Sequence, residues 1–291
     1  MRVLVVGANR PLGASIALGL SASGHEVLAT RRTPSDLDGN LTEAGIALGE
    51  LDLTDLDAVR AMAAEIDAAV LTPILSISWQ AIRALTDAGV SRGVAFSSNN
   101  VAIVGPDPVY DGLRTAEDEI LAGAPGWAIL RPTMIYGYPG DGNLSRLMHL
   151  AARWPILPRP GSGQAMQQPI HIGDLARLAV ALADGTWSAS GVLPVGGPDR
   201  LSHGEMVRLA VSAARPGRAV MPLPLAPGRW VASALKAIGL PSPLSPSQFR
   251  RVELDKAAVD PADIPAALKP QISLDEGLTR LAAEMGLIRP R

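Results

Sequence analysis

Two glycines near the start of the chain are spaced for binding an anion. The segment from Val3 to Gly13 (VLVVGANRPLG) is an apolar run that ends at Gly7 and reaches Gly13 where a helix should begin. Gly7 permits a tight turn and Gly13 a close approach of helix and strand, so the N–H groups between them point at an anion such as a pyrophosphate. Arg10 replaces the middle glycine of the usual dinucleotide fingerprint, which leaves an ordinary strand-to-helix turn as the alternative. The residues predicted to bind a dinucleotide here are Gly7, Asn9, Arg10, Pro11, Leu12 and Gly13.

Two arginines after the second expected strand predict the type of dinucleotide. In dinucleotide-binding folds the residue that contacts the adenosine ribose falls roughly 20 residues after the glycines, and NAD sites have Asp or Glu there. This chain has Arg31 and Arg32 instead. Two guanidiniums suit a 2′-phosphate, and Arg10 faces the same region. The sequence therefore predicts NADP(H) in preference to NAD(H), with a solvated pair of surface arginines as the alternative.

The composition indicates a soluble globular protein that buries one large core. The chain has 291 residues, of which 47% are hydrophobic and 19% charged, a formal net charge of -2 and no cysteine. This balance gives no broad cationic surface, so nucleic acid and membrane are not expected as partners. The absence of cysteine, of a signal peptide and of a spanning segment favours the cytoplasm. The expected partner is a small-molecule substrate, and a homodimer is left open.

Short apolar runs alternate with helical periodicity in the first half of the chain, as in a parallel sheet covered on both faces. Strands are predicted at Arg2–Val6, Glu26–Thr30, Ile46–Leu51, Ala68–Leu71, Gly93–Ser97 and Trp127–Leu130. Helices are predicted at Leu12–Ser23, Leu56–Glu65, Ile77–Ala88 and Leu113–Ala122, with Asp55 as an N-cap and Gly89 as a helix stop. The pattern predicts an α/β fold with a Rossmann-type doubly wound parallel sheet.

The second half of the chain differs from the first in its proline content and in the length of its connections. Proline becomes dense after residue 135, and long connections replace the tight alternation. Asp174 is predicted as an N-cap, and Ser202 and Ser273 as the first residues of capping boxes. We therefore predict a dinucleotide-binding domain at 1–135 and a smaller substrate-binding lobe at 136–291 with segments that return to the sheet. The site is expected in the crevice between them.

Six short motifs in order resemble one family. They are VVGANRPLG, GELDLTD, VAFSSNN, YDGLR, WAILRPTMIYG and QPIHIGDLARLAVAL, and they fall within residues 1–185. The chain resembles a short-chain dehydrogenase/reductase of the extended or atypical branch, which contains the NAD-dependent epimerase/dehydratase and NmrA-like proteins. The later segment VLPVGGPDRLSHGEMVRLA follows the family order more loosely.

The resemblance implies further contacts to the cofactor. Asp52 and Leu53 would border the adenine, although Asp52 is alternatively a loop residue that caps the next helix. The residues implied at the adenosine ribose are Leu71, Thr72 and Pro73, and those implied towards the nicotinamide are Ser97, Pro132 and Thr133.

The resemblance also implies catalytic residues, with two departures from the family pattern. Tyr110 and Arg114 match the Tyr and Lys of the YxxxK pair, and their spacing places both on one helix face. In the family the tyrosine is the general acid/base, and the cation lowers its pKa and holds the nicotinamide ribose. The position of the catalytic Ser or Thr best matches Asn99, with Ser98 adjacent. A tyrosine that merely packs in a loop between Gly105 and Gly112 is the alternative for Tyr110.

These observations lead to one hypothesis and two rivals. The leading hypothesis is an NADP(H)-dependent oxidoreductase that acts on a small carbonyl or alcohol near Tyr110, with Asn99 polarising the oxygen. The rivals are a nucleotide-sugar epimerase/dehydratase and a non-catalytic NADP(H)-binding regulator or assembly protein, and Asn99 and Arg114 favour the latter. The four histidines show no metal-ligand spacing, so no metal site is expected, and His171 is interpreted as structural.

Overall fold

The structure is a computed structural model that describes residues 1–224, 253–257 and 264–287. These residues form two compact units. Unit 1 comprises residues 1–133, 172–195 and 264–270, and unit 2 comprises residues 134–171, 196–224, 253–257 and 271–287. The boundary expected after residue 135 stays a prediction.

The elements of the described residues are numbered in chain order. The strands are β1 (Arg2–Val6), β2 (Glu26–Arg31), β3 (Ala47–Glu50), β4 (Ala68–Ile74), β5 (Gly93–Phe96), β6 (Trp127–Pro132), β7 (Ile135–Tyr136), β8 (Ile156–Pro160), β9 (Met166–Gln167), β10 (Ile170–His171), β11 (Gly191–Val195), β12 (Leu201–Ser202) and β13 (Ala219–Leu223). The helices are α1 (Pro11–Ala22), α2 (Asp38–Glu43), α3 (Leu56–Met62), α4 (Leu75–Asp87), α5 (Asn100–Ile103), α6 (Pro108–Gly123), α7 (Leu144–Arg153), α8 (Ile172–Asp184), α9 (His203–Ala214) and α10 (Leu274–Glu284). A single 3₁₀ turn at Ala266–Leu268 completes the set.

Unit 1 is built on a parallel sheet with the strand order β11-β6-β5-β4-β1-β2-β3. Every strand pair in it is parallel. The central strands are buried on both faces, as their continuous apolar runs predict; all four residues of β5 are buried. The predicted Rossmann-type α/β fold is confirmed. Because the strands are parallel, their carboxyl ends meet at one edge of the sheet, where ligands of such sheets bind.

The local signals for helix ends are mostly confirmed. The Asp55 carboxylate accepts a hydrogen bond from Ala58 N at 3.0 Å and caps α3. Gly89 has φ +104° just after α4, a conformation that favours glycine at a helix end. Ser202 forms a complete capping box with Glu205 at the start of α9. The Ser273 side chain accepts from Glu276 N at 3.2 Å at the start of α10.

Two expectations about helix starts are wrong. Asp174 is not the cap of α8, because the helix already begins at Ile172; the buried carboxylate lies in the first turn and pairs with Arg177 at 2.8 Å. The helix expected from Leu113 begins earlier, at Pro108, since proline suits the first turn of a helix. Tyr110 is therefore helical and buried, which excludes the alternative of a surface loop.

The described residues of unit 2 form three two-stranded pairings and three helices. β10 pairs with β7 and β13 with β8 in parallel, and β12 pairs with β9 antiparallel. The core of this unit lies between α7, α9 and α10, where Met148, Met206 and Leu278 are almost completely buried. His171 is 8% exposed and packs edge-on against Tyr136, with ring centroids 5.3 Å apart, a structural position. Within the described residues, no helix is long and apolar enough to cross a membrane.

Candidate functional site

The turn after β1 is closely packed, and it requires both of its glycines. Gly7 has φ +86°, and a Cβ there would lie 2.4 Å from Thr72 Oγ1. A Cβ on Gly13 would lie 2.4 Å from the Gly7 carbonyl oxygen, a distance that real Cβ atoms essentially never show. Gly7 N and Ala8 N donate to the carbonyl of Thr30 at 2.9 and 3.1 Å, which fixes the turn against the end of β2. Helix α1 can therefore approach β1 only because position 13 has no side chain.

The start of α1 is open to an anion. Arg10 is the N-cap residue in an extended conformation, and no side chain caps the helix. Pro11 occupies the first turn without an N–H, and this turn contains no acidic residue. The exposed Arg10 adds a positive charge beside the turn. Unsatisfied N–H groups and the positive end of the helix dipole together favour a bound anion. The amide of Asn9 donates to Thr33 O at 3.4 Å, a weak link between the turn and the chain after β2.

Arg31 is engaged by acidic residues. Its Nε donates to Asp38 Oδ2 at 2.5 Å, and its Nη1 lies 3.8 Å from Glu50 Oε1. The Arg31 side chain is only 14% exposed, whereas Arg32 is exposed. Hydrogen bonding from Arg31 holds the pKa of the Asp38 carboxyl below its usual value. A 2′-phosphate would therefore compete with Asp38 for this guanidinium. Asp38 was not among the residues singled out in the sequence, since its spacing from Arg31 matches no motif.

The residues implied around the adenosine lie in unit 1 along β4 and after β3. Asp52 is exposed, and its carboxylate accepts from Thr54 N and Thr54 Oγ1 at 2.9 and 2.8 Å. The hydrogen bond from the Thr54 backbone is the main reason that the pKa of Asp52 is lowered. Leu53 packs against the core, and Leu71 is completely buried. Thr72 donates to Val6 O at 2.9 Å and joins the ends of β4 and β1. Pro73 lies 3.1 Å from where a Gly7 Cβ would be.

The segment after β5 places three polar residues at the carboxyl edge of the sheet. Ser97 is 5% exposed, and its Oγ has no hydrogen-bond partner among the described residues. Ser98 Oγ accepts from Asn100 N at 3.3 Å. Asn99 is 6% exposed, and its backbone N donates to Pro132 O at 3.0 Å. Thr133 N in turn donates to Val195 O, so the pairing with β11 continues one residue past Pro132, the last residue of β6.

Tyr110 and Arg114 lie on α6 in different environments. Tyr110 is 5% exposed and belongs to the apolar core of unit 1, and its hydroxyl accepts from Asn100 Nδ2 at 3.0 Å. Arg114 pairs with Asp111 at 2.5 Å and donates to Val101 O at 2.9 Å and to Val104 O. The guanidinium therefore ties α6 to the end of α5. Asn100 is a polar contact of the tyrosine that sequence reasoning missed, because the two residues meet only when α5 and α6 pack.

The structure thus collects the candidate residues in unit 1 along one sheet edge. The turn after β1 and the ends of β4, β5 and β6 supply the positions expected for a dinucleotide, while Arg31 and Arg114 each have protein partners. Within the described residues, no group of His, Cys, Asp and Glu side chains is placed to hold a metal ion. The assigned roles of the individual residues stay predictions.

Comparison with solved structures identifies the class of fold. UDP-glucose 4-epimerase from Thermus thermophilus, solved with NAD, is 18% identical with a TM-score of 0.70 over 98% of this chain and 99% of that one. The Thermotoga maritima UDP-glucose 4-epimerase is 14% identical with a TM-score of 0.72 and the same coverage. A dTDP-glucose 4,6-dehydratase from Bacillus anthracis, solved with NAD, is 13% identical with a TM-score of 0.68 over 98% of this chain and 96% of that one. The chain has the fold of these epimerases and dehydratases, in agreement with the resemblance of its motifs.

Comparison of sequences adds a relative that matches part of the chain. No family model matches the chain. Subunit 9 of the NADH dehydrogenase (ubiquinone) 1 alpha subcomplex from Arabidopsis thaliana mitochondria is 25% identical over 243 residues. The alignment covers 76% of this chain, and the chain spans 60% of the length of that subunit.

Proposed function

We propose that the protein binds a nicotinamide dinucleotide across the turn from Gly7 to Gly13 and uses it for redox chemistry of the epimerase/dehydratase type on a nucleotide sugar. The observation that supports cofactor binding is the close packing at Gly13, beside the uncapped start of α1. A Cβ on residue 13 would lie 2.4 Å from the Gly7 carbonyl oxygen, so only glycine fits there. The solved neighbours are named for nucleotide sugars, which favours this substrate class over the small carbonyl or alcohol expected from the sequence.

The residues of the turn fit a pyrophosphate. The open N–H groups of α1 and the cation of Arg10 would hold its charge, and the ends of β4 and β5 would border the nucleosides. When bound, a nicotinamide dinucleotide supplies a hydride acceptor or donor. The Thermus thermophilus epimerase and the Bacillus anthracis dehydratase were solved with NAD, which supports a nicotinamide cofactor and favours NAD(H). The engagement of Arg31 by Asp38 and Glu50 also argues against a strong preference for NADP(H).

Tyr110 is a residue of this chain whose hydroxyl can move a proton. The amide of Asn100 donates to this hydroxyl at 3.0 Å and orients the phenol. Arg114 lies on the same helix, but its guanidinium is bound to backbone carbonyls. Tyr110 would remove the proton from a substrate hydroxyl as the adjacent carbon is oxidised, and would return it on reduction.

A second candidate function is a non-catalytic dinucleotide-binding subunit. The observation that favours it is the position of Arg114, which is used to connect α5 and α6. The similarity to a subunit of the NADH dehydrogenase alpha subcomplex supports the same candidate. Under this proposal the dinucleotide would stabilise the fold without turnover.

Cofactor binding is tested at Gly13. Titration calorimetry with NADH should show binding to the wild type and its loss in Gly13→Ala, because the added Cβ would force the turn apart. Gly105→Ala is the matched control, since a Cβ there meets nothing within 4 Å. Unchanged NADH affinity in a folded Gly13→Ala protein contradicts the proposed site.

Catalysis is tested at Tyr110. Tyr110→Phe should reduce turnover of UDP-hexoses or dTDP-hexoses by about 10²–10⁴ while NADH affinity changes little. Tyr136→Phe is the control, because it also removes a buried, hydrogen-bonded hydroxyl, but in unit 2. Turnover that survives Tyr110→Phe excludes the tyrosine as the acid/base. A wild type that binds NADH but turns over none of these sugars supports the non-catalytic candidate.

A further inference from the structure

A buried arginine in unit 2 forms no direct ion pair with a carboxylate of the described residues. Arg159 lies on β8 and is 9% exposed. Its Nη1 has no hydrogen-bond partner among the described residues. The Glu253 carboxylate interacts with the charge of Arg159 without a direct contact between the two groups. Burying an unpaired charge is costly, so buried arginines normally have an anion beside them.

The guanidinium of Arg159 lines a polar cavity of about 250 Å³. The other lining residues come from the loop after β8 and from the start of α9, and they are Ser162, Gly163, Gln164, Ser202, Gly204, Glu205 and Arg208. This volume is smaller than the range of roughly 300–1,000 Å³ typical for drug-sized ligands, so the cavity suits a small ligand.

Two glycines leave room for the guanidiniums of Arg159 and Arg208 beside the start of α9. A Cβ on Gly204 would lie 3.7 Å from Arg208 Nη1 and 3.9 Å from Arg159 Cζ, so both guanidiniums face this turn of α9. Gly163 has φ +74°, and a Cβ there would lie 1.5 Å from Arg159 Nη1. Arg159 can occupy its position only because residue 163 is glycine.

The two carboxylates near this cavity are hydrogen-bonded to serine residues. Glu205 lines the cavity, but its carboxylate accepts from Ser202 N and Oγ, both at 2.8 Å. Glu253 is bound by Ser162 N and Oγ at 2.6 and 2.7 Å. The first N–H groups of α9 donate to Ala165 O, Gly163 O and Ser202 Oγ, so the helix terminus itself does not provide the site. Among the described residues, neither guanidinium has a carboxylate in direct contact, although the charge of Arg208 lowers the pKa of Glu205 and that of Arg159 lowers the pKa of Glu253.

We propose that this cavity binds the phosphate group of a small molecule between Arg159 and Arg208. A phosphate dianion matches two guanidiniums in charge, and its oxygens accept the forked N–H groups that arginine presents. A carboxylate carries only one charge. The site is independent of the proposed dinucleotide function, because its residues belong to unit 2 and none comes from the turn in unit 1.

Calorimetric titration of the full chain with inorganic phosphate, at an ionic strength balanced with sodium chloride, tests the proposal. The wild type should bind phosphate, and Arg159→Gln and Arg208→Gln should each weaken binding by about tenfold or more. Arg208 is exposed, so its variant is expected to fold even if Arg159→Gln does not. Arg153→Gln, an exposed arginine at the end of α7, controls for general surface charge. Arg10→Gln controls for phosphate binding at the turn in unit 1.

Three results would overturn the assignment. They are the absence of phosphate binding to the wild type, wild-type affinity in a folded Arg208→Gln protein, and loss of binding in Arg10→Gln alone. A parallel titration with acetate separates the two anion classes, because equal affinity for acetate would contradict a phosphate site.

Discussion

The role of Arg31 depends on the residues around it. Its position at the end of β2 predicts that its guanidinium binds a 2′-phosphate. In the folded chain, Asp38 and Glu50 already compensate its charge. A charge-assisted hydrogen bond contributes about 1.5–3 kcal/mol, so an anion that takes Arg31 from Asp38 gains little in net terms. Discrimination between NADPH and NADH should accordingly be weak.

Replacing Asp38 by asparagine should release Arg31 for a ligand. We expect Asp38→Asn to raise NADPH affinity by about tenfold and to leave NADH affinity unchanged, as measured by calorimetric titration of both dinucleotides. Asp57→Asn is the control, because Asp57 pairs with Arg60 on the surface of α3. An unchanged ratio of the two affinities in Asp38→Asn would mean that Arg31 does not contact the 2′ position.

At the scale of elements, the site depends on how strands end and helices begin. The turn from β1 into α1 is left uncapped, whereas α3 and α9 are capped by their own side chains. An uncapped helix start loses stability and gains the capacity to bind an anion. Helices α4 and α7 also lack a side-chain cap, so the binding role of α1 depends on its glycine turn as well as on its open start.

The cap of α3 can be tested by its contribution to stability. Asp55→Ala should lower the free energy of unfolding by about 1 kcal/mol, because Ala58 N loses its acceptor. Urea denaturation measures this change. Asp57→Ala, two residues further on, removes an exposed first-turn carboxylate that pairs with Arg60 on the surface, and it should cost less. Equal losses in the two variants would contradict the capping role.

At the scale of the whole molecule, each unit contains buried polar atoms that have no hydrogen-bond partner among the described residues. Ser97 Oγ lies at the carboxyl edge of the sheet in unit 1, and Arg159 Nη1 lies beside the cavity in unit 2. His203 Nδ1 is another such atom, and the charge of Arg159 acts on this histidine. These three are among ten buried side-chain atoms of the described residues that have no hydrogen-bond partner. Buried polar groups are rarely left unsatisfied, so the three atoms that lie at the proposed positions are consistent with ligands there.

The titration of His203 makes stability depend on pH. Burial, followed by the charges of Arg159 and Lys256, lowers the pKa of His203 from 6.5 to about 4. His203 is therefore protonated below about pH 6.5 in the unfolded chain but only below about pH 4 in the folded chain. The free energy of unfolding decreases as the pH falls through this window. At pH 5 the loss relative to pH 7 should be about 2 kcal/mol.

Urea denaturation at pH 7 and pH 5 measures this loss. His203→Gln should reduce the difference between the two pH values, while His149→Gln, which replaces an exposed histidine, should leave it unchanged. The same pH dependence in wild type and His203→Gln would show that other groups cause it. Subtracting the variant from the wild type removes the contribution of the carboxylates, which titrate in both proteins.

The sequence by itself determined the local features of this protein. Hydrophobic runs predict the first six strands of the parallel sheet, and single residues such as Asp55 and Gly89 predict helix ends, because these signals act over a few neighbouring positions. Gly7 and Gly13 likewise predict the dinucleotide turn from their spacing alone.

Only the tertiary structure decided which side chains meet. Arg31 faces Asp38 and Glu50, Tyr110 faces Asn100, and Arg159 faces Arg208. The last pair comes from a strand and a helix that are separated by more than 40 residues in the chain. No periodicity records such a contact, since it forms when separate elements pack and bury their charges together. The partners of each charged residue, and hence its function, are therefore properties of the fold.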